Sequence, residues 1–151
     1  MALQNNIELK VSHLTDQNLI QVCDIVSKYP PFLNYSFRLM LVKLFDQLQN
    51  QANVTALINN KIVAYAGWVT VNDSDAEKWF KEGGELPLPN WASGNSVIVT
   101  ITVTESNKLL LPLMRGISHM CQGKKIYAIR SYNQKNKSDM RRPPIMGKKE
   151  F

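Results

Sequence analysis

The sequence predicts an α+β domain in which helices cover a mostly antiparallel sheet. Three observations predict it. Apolar periodicity alternates between helical and strand spacing along the 151 residues. The segment Ser96 to Thr104 (SVIVTITVT) is β-branched at most positions, which suits a half-buried pleated surface. Two further strand-like runs meet at Asn59-Asn60, a pair that tolerates positive φ and so suits a hairpin.

The elements follow in chain order. Ile7 to Leu14 alternates apolar and polar residues and reads as a short strand or an extended lead-in. Thr15 caps a helix whose stripe is Leu19, Val22, Cys23, Ile25 and Val26, and Pro30-Pro31 ends it. A second helix is expected over about Tyr35 to Asn50, with Phe37, Met40, Leu41, Leu44, Phe45 and Leu48 on one broad core face. Val54 to Ile58 and Ile62 to Val71 form the hairpin. Ser74 and Glu77 match a capping box that opens a helix through Phe80, stopped by Gly83-Gly84. Glu85 to Gly94 is an irregular loop around Trp91. Ser96 to Thr104 divides into an apolar face and a threonine face (Thr100, Thr102, Thr104). Leu109 to Cys121 is helical, with Pro112 in its first turn, and Lys125 to Tyr132 is a closing strand.

Residues 1–131 make the expected domain and residues 132–151 a basic tail. The tail holds six bases against two acids, a net +4 of the chain's +6, so the domain carries only +2. Arg141, Arg142, Lys148 and Lys149 are its candidate contacts for an acidic partner. We expect the tail to be mobile or to order only on a partner. Its charge alone supports a nucleic-acid-binding reading, which lacks a recognition helix or an aromatic platform.

The two cysteines, Cys23 and Cys121, sit among apolar residues and read as thiols in a reducing compartment. Neither an apolar leader nor a run of roughly 20 apolar residues is evident, so a cytoplasmic protein is expected. The glycines do not form a phosphate loop, and GxSxG and HExxH are both missing. Asp73, Asp75 and Glu77 read as acids complementing a helix N-terminus rather than as metal ligands. His13 and His119 are the two candidate general bases. Trp68, Trp79 and Trp91, with Tyr65 and Phe80, suit either core packing or an acyl-chain pocket.

The middle of the chain resembles the RTX toxin-activating lysine acyltransferases, the hemolysin-activator type. The residues that carry the resemblance are Val63-Ala64-Tyr65, Trp68, and Trp91 followed by Ser93-Gly94. Pro30, Asn34 and Tyr35 lie upstream, and Met114-Arg115 and Ala128-Ile129-Arg130 downstream. The likeness spans about residues 25–131. It implies an acetyltransferase-like (GNAT-type) fold, often a homodimer, with fatty-acyl carrier protein as donor and protein lysines as acceptors. No bound cofactor is implied. The resemblance marks Tyr65, Trp68, Trp91, Ser93 and Gly94 as the acyl or substrate pocket. The family's catalytic histidine falls on Phe32, and its aspartate on Ile101 or, with one gap, Thr100. Those residues neither accept a proton nor orient a base. The chain therefore reads as a degenerate member or as a pseudoenzyme acting through protein partners.

Overall fold

A computed structural model describes residues 6–30, 32–128 and 145–147. Six strands form one sheet in the order β1-β2-β3-β4-β5-β6. They are β1 Glu8–Lys10, β2 Asn53–Ile58, β3 Lys61–Val71, β4 Ser96–Thr104, β5 Lys125–Ala128 and β6 Ile145–Gly147. The helices are α1 Asp16–Ser27, α2 Phe37–Gln49, α3 Asp73–Glu82 and α4 Leu110–Met120. β1–β2, β2–β3 and β5–β6 pair antiparallel, while β4–β5 pairs parallel from Ser96↔Lys125 to Val99↔Ala128. The parallel pair requires a crossover, and α4 supplies it.

Local chemistry explains most boundaries. The Thr15 hydroxyl accepts from the Asn18 amide at 3.0 Å and starts α1. Ser36 does the same for α2, accepting from Leu39 at 3.2 Å. Asn59 and Asn60 take φ of 52° and 63°, the two left-handed residues of a tight hairpin. Gly116 lets α4 lie on β2, because a Cβ there would meet Val54 Cγ1 at 2.8 Å.

Several expectations are corrected. β1 is only three residues long, since the Ser12 amide turns to the Asn53 side chain (2.8 Å) instead of continuing the ladder. The core face of α2 is narrower than its periodicity suggests: Met40, Leu44, Gln47 and Leu48 are buried, while Phe37 and Phe45 are exposed. Ser74 lies inside α3 and does not cap it; Asn72 occupies the cap position without a side-chain cap bond. The closing strand is described only to Ala128, and Ile129 to Tyr132 lie outside the described residues. Within the tail, Ile145–Gly147 is a strand that pairs with β5, a strand not anticipated there.

The described residues fall into two compact units, one drawn from Met1–Gly67 and Ile101–Met120, the other from Trp68–Thr100 and Cys121–Phe151. The first is built on a cluster that includes Val22, Val26, Phe32, Met40, Leu44, Leu48, Tyr65 and Ile101. The second is built on Val69, Val71, Ala76, Ile98 and Tyr127, with Trp79, Phe80 and Trp91 against them. A buried polar knot supports the first unit. Asn53 donates to the carbonyls of Ser12 (2.9 Å) and Gln47 (3.2 Å), and the Ser12 and Thr55 hydroxyls bond at 2.8 Å. No helix among the described residues is long and apolar enough to cross a membrane.

Candidate functional site

Of the positions that the resemblance assigns to a catalytic pair, Phe32 and Ile101 belong to the first unit. Phe32 opens a single 3-10 turn, Phe32–Asn34, between α1 and α2, and its ring meets Tyr35 edge-on at 5.5 Å. Ile101 lies on β4 and is 1% exposed. Both belong to the same buried cluster. The alternative position, Thr100, falls in the other unit and is partly buried. Neither Phe32 nor Ile101 can carry a proton, so these two positions offer apolar contact only.

The candidate substitute bases are elsewhere on the surface. His13 precedes α1 and His119 lies in the last turn of α4, and both are exposed. The His13 carbonyl accepts from the Asn18 side chain at 2.9 Å. Among the described residues, neither imidazole has a carboxylate partner to orient it. Groups of three or more potential metal ligands are also absent among the described residues.

The five pocket candidates are placed by packing and hydrogen bonds. Tyr65 is fully buried, and its hydroxyl donates to Gln47 Oε1 at 2.8 Å. Burial pushes the Tyr65 phenol well above its ordinary range. Trp68 is buried, while Trp91 is partly buried against the second cluster. Ser93 completes a turn: its amide donates to Asn90 Oδ1 at 3.2 Å. The Asn90 side chain in turn donates to Asn72 Oδ1 at 2.7 Å. Gly94 lies so close to the Val71 and Asn90 carbonyls that a Cβ would strike both. The Trp91, Ser93 and Gly94 spacing therefore has a structural cause, a loop locked to the end of β3 and the cap of α3.

A cavity of about 360 Å³ lies between α1 and α2. Its apolar wall is Ile20, Cys23, Tyr35, Phe37, Met40 and Leu41, and Asp24 and Ser27 stand at its polar side. None of the five pocket candidates lines it. Asp24 is paired with Lys28 at 3.0 Å on the exposed side of α1. Lys43 holds its ammonium 5.7 Å from the Tyr35 ring centroid. Burial lowers the Lys43 pKa from its ordinary value. Burial likewise raises the Cys23 thiol, so it is largely protonated near neutral pH. Sequence reasoning missed this cavity. Its one signal was an apolar surplus on α2: Phe37 and Leu41 exceed what a single buried stripe requires.

The segment joining β4 to α4 was also not singled out. Glu105 to Leu109 contains no glycine. The Ser106 hydroxyl accepts from the Lys108 amide at 3.3 Å, and the Leu109 amide donates to the Ser106 carbonyl at 3.0 Å. Glu105 faces Lys61 at 3.8 Å. Two amides of this turn are thus already engaged, and a carboxylate stands beside them.

Comparison with solved structures places the fold. The loading GNATL domain of CurA from Lyngbya majuscula superposes with a TM-score of 0.66 at 15% identity, over 87% of this chain and 68% of that one. Diaminobutyrate acetyltransferase EctA from Paenibacillus lautus, in complex with its substrate and coenzyme A, gives 0.55 at 10% identity, over 84% and 67%. A GNAT family acetyltransferase from Brucella melitensis in complex with acetyl-CoA gives 0.54 at 7%, over 87% and 80%. The chain has a GNAT-like fold. No protein-family model and no curated protein sequence matches it.

Proposed function

We propose that this chain is an acyl-thioester-binding protein on the scaffold of a toxin-activating lysine acyltransferase, in which the lysine-transfer chemistry has degenerated. The observation that carries the reading is the shared burial of Phe32 and Ile101 in one apolar cluster. The resemblance assigns a histidine and an aspartate to these positions, and here the pair is replaced by two side chains that pack. Losing a positioned base costs roughly 100- to 10,000-fold in rate.

The donor that the resemblance implies is acyl carrier protein. The chain carries a net +6, which suits an acidic carrier. A second reading, a non-catalytic domain that acts through protein partners, is favoured by the exposed side chains Phe37, Leu39, Val42 and Phe45 on α2.

The test is incubation of the purified protein with fatty-acyl carrier protein and lysate proteins. Donor binding and lysine labelling are followed by mass spectrometry. Carrier binding with no transfer to other proteins is the expected result. Transfer at enzymatic rates would overturn the degenerate reading and redirect attention to His13 and His119. Absence of carrier binding would leave the partner-binding domain as the better account.

A further inference from the structure

The cavity between α1 and α2 has an unusual neighbour. Tyr35 forms part of its wall and also carries the Lys43 ammonium on its ring, 5.7 Å from the centroid. Lys43 follows Met40, another wall residue, by three positions on α2, so the two side chains leave the helix on adjoining faces. Its volume of about 360 Å³ lies within the range of small-molecule sites, roughly 300–1,000 Å³. The wall is mostly apolar, which suits a hydrocarbon chain, with Asp24 and Ser27 at its polar side. Lys43 is partly buried and, like Lys10, Lys78, Lys108, Lys124 and Lys125, has no carboxylate partner among the described residues.

We infer that Lys43 is a self-acylation site, whose amine takes the acyl group of a thioester seated with its chain in the cavity between α1 and α2. The neutral Nζ adds to the thioester carbonyl carbon. The tetrahedral intermediate then expels the thiolate as the C–S bond breaks. A proton passes from nitrogen to the departing sulfur, leaving an amide on Lys43 and a free thiol. Neither an oxidant nor a metal is required. Partial burial increases the fraction of Lys43 present as neutral amine. Cavity seating supplies proximity, the contribution that persists without a general base.

This inference goes beyond the carrier-dependent reading and takes from it only the class of donor. Its test therefore uses N-acetylcysteamine thioesters, which present no carrier protein, so either idea can fail alone. The full chain is incubated with the octanoyl and acetyl thioesters, and every lysine is quantified after digestion. With octanoyl, Lys43 should be labelled at least about tenfold above the median lysine, a modest share of what proximity can supply. With acetyl, which cannot fill the cavity, that excess should largely disappear.

Ser27→Trp, which places an indole in the cavity from the exposed side of α1, should depress octanoyl labelling of Lys43 severalfold and leave Lys81 unchanged. Phe37→Ser, at a side chain 78% exposed, removes one wall without touching the core and should act in the same direction. A thermal melt on each variant separates this from unfolding. Lys43→Arg should remove the signal without moving it to another lysine. Even labelling across all lysines, an equal excess with acetyl, or label on Cys23 instead would overturn the inference.

Discussion

Phe32 and Ile101 define what single residues contribute here. Each fills volume in a buried cluster, so restoring a polar pair there has a stability cost that can be stated in advance. Ile101→Asp places a carboxylate at a 1% exposed position, and we expect a loss of about 3–5 kcal/mol, read as a shifted denaturant midpoint. Adding Phe32→His should return part of that loss if the two side chains meet; a purely additive double variant would show that they do not. Tyr65 gives a second coupling. Its bond to Gln47 makes Tyr65→Phe cost about 1–2 kcal/mol. A Cβ at Gly67 would land on the Gln47 carboxamide, so Gly67→Ala should break the same bond. The two substitutions together should therefore cost less than their sum in a double-mutant cycle.

Cys121 makes a pH prediction at the same scale. Burial pushes its thiol from the ordinary 9.0 up to about 12, with Lys124 opposing in part. The native state then holds the proton over a range in which the unfolded chain has released it. Stability is unaffected below about pH 9 and falls as pH rises toward about 12, by at most about 1.4 kcal/mol per pH unit. Urea midpoints measured at about pH 8 and about pH 10.5 should show this decline, and Cys121→Val should reduce it. A decline unchanged by the substitution would assign the effect to other groups, Tyr65 among them.

At the scale of elements, turn and cap chemistry decides where helices and strands begin. The β2–β3 hairpin depends on two consecutive left-handed asparagines. Asn60→Gly should leave the melting temperature equal or higher. Asn60→Val, a β-branched residue forced to positive φ, should cost about 1–2 kcal/mol. This hairpin, α1 with its Thr15 cap, and β4 over Ser96 to Thr104 were legible because their signals are local. The capping box at Ser74 misled for an equally local reason. The helix begins two residues earlier than that cap implies, and Asp73, in its first turn, accepts a hydrogen bond from the Ser96 hydroxyl, a contact 23 positions distant. The α2 face was overdrawn because periodicity shows which residues are apolar but not how wide a stripe the neighbouring elements cover.

For the whole molecule, charge is the property most open to test. Glu105 and Asp139 bracket a stretch from Ser106 to Ser138 that contains no acidic residue. An acidic acyl carrier should bind more weakly as ionic strength rises from about 0.05 M to about 0.5 M, because the Debye length shrinks from above 10 Å to a few ångströms. Octanoyl labelling of Lys43 from a neutral thioester should be insensitive to the same change. Salt-independent carrier binding would shift the interaction to the apolar side chains of α2. Arg141, Arg142, Lys148 and Lys149 lie outside the described residues, and replacing the four by glutamine would measure what they add to that salt dependence while keeping the strand Ile145–Gly147.

The fold class, the hairpin and the positions of the four helices to within a few residues were legible in the chain's residues alone. These follow from near-neighbour chemistry: periodicity, caps and positive-φ residues. Folding in three dimensions is what puts Phe32 and Ile101 in one cluster, closes a buried knot between Ser12 and Asn53 across 41 positions, runs β4 and β5 parallel, and opens a cavity beside Lys43. Each of these is set by how the surfaces of different elements meet, and no local pattern encodes that meeting.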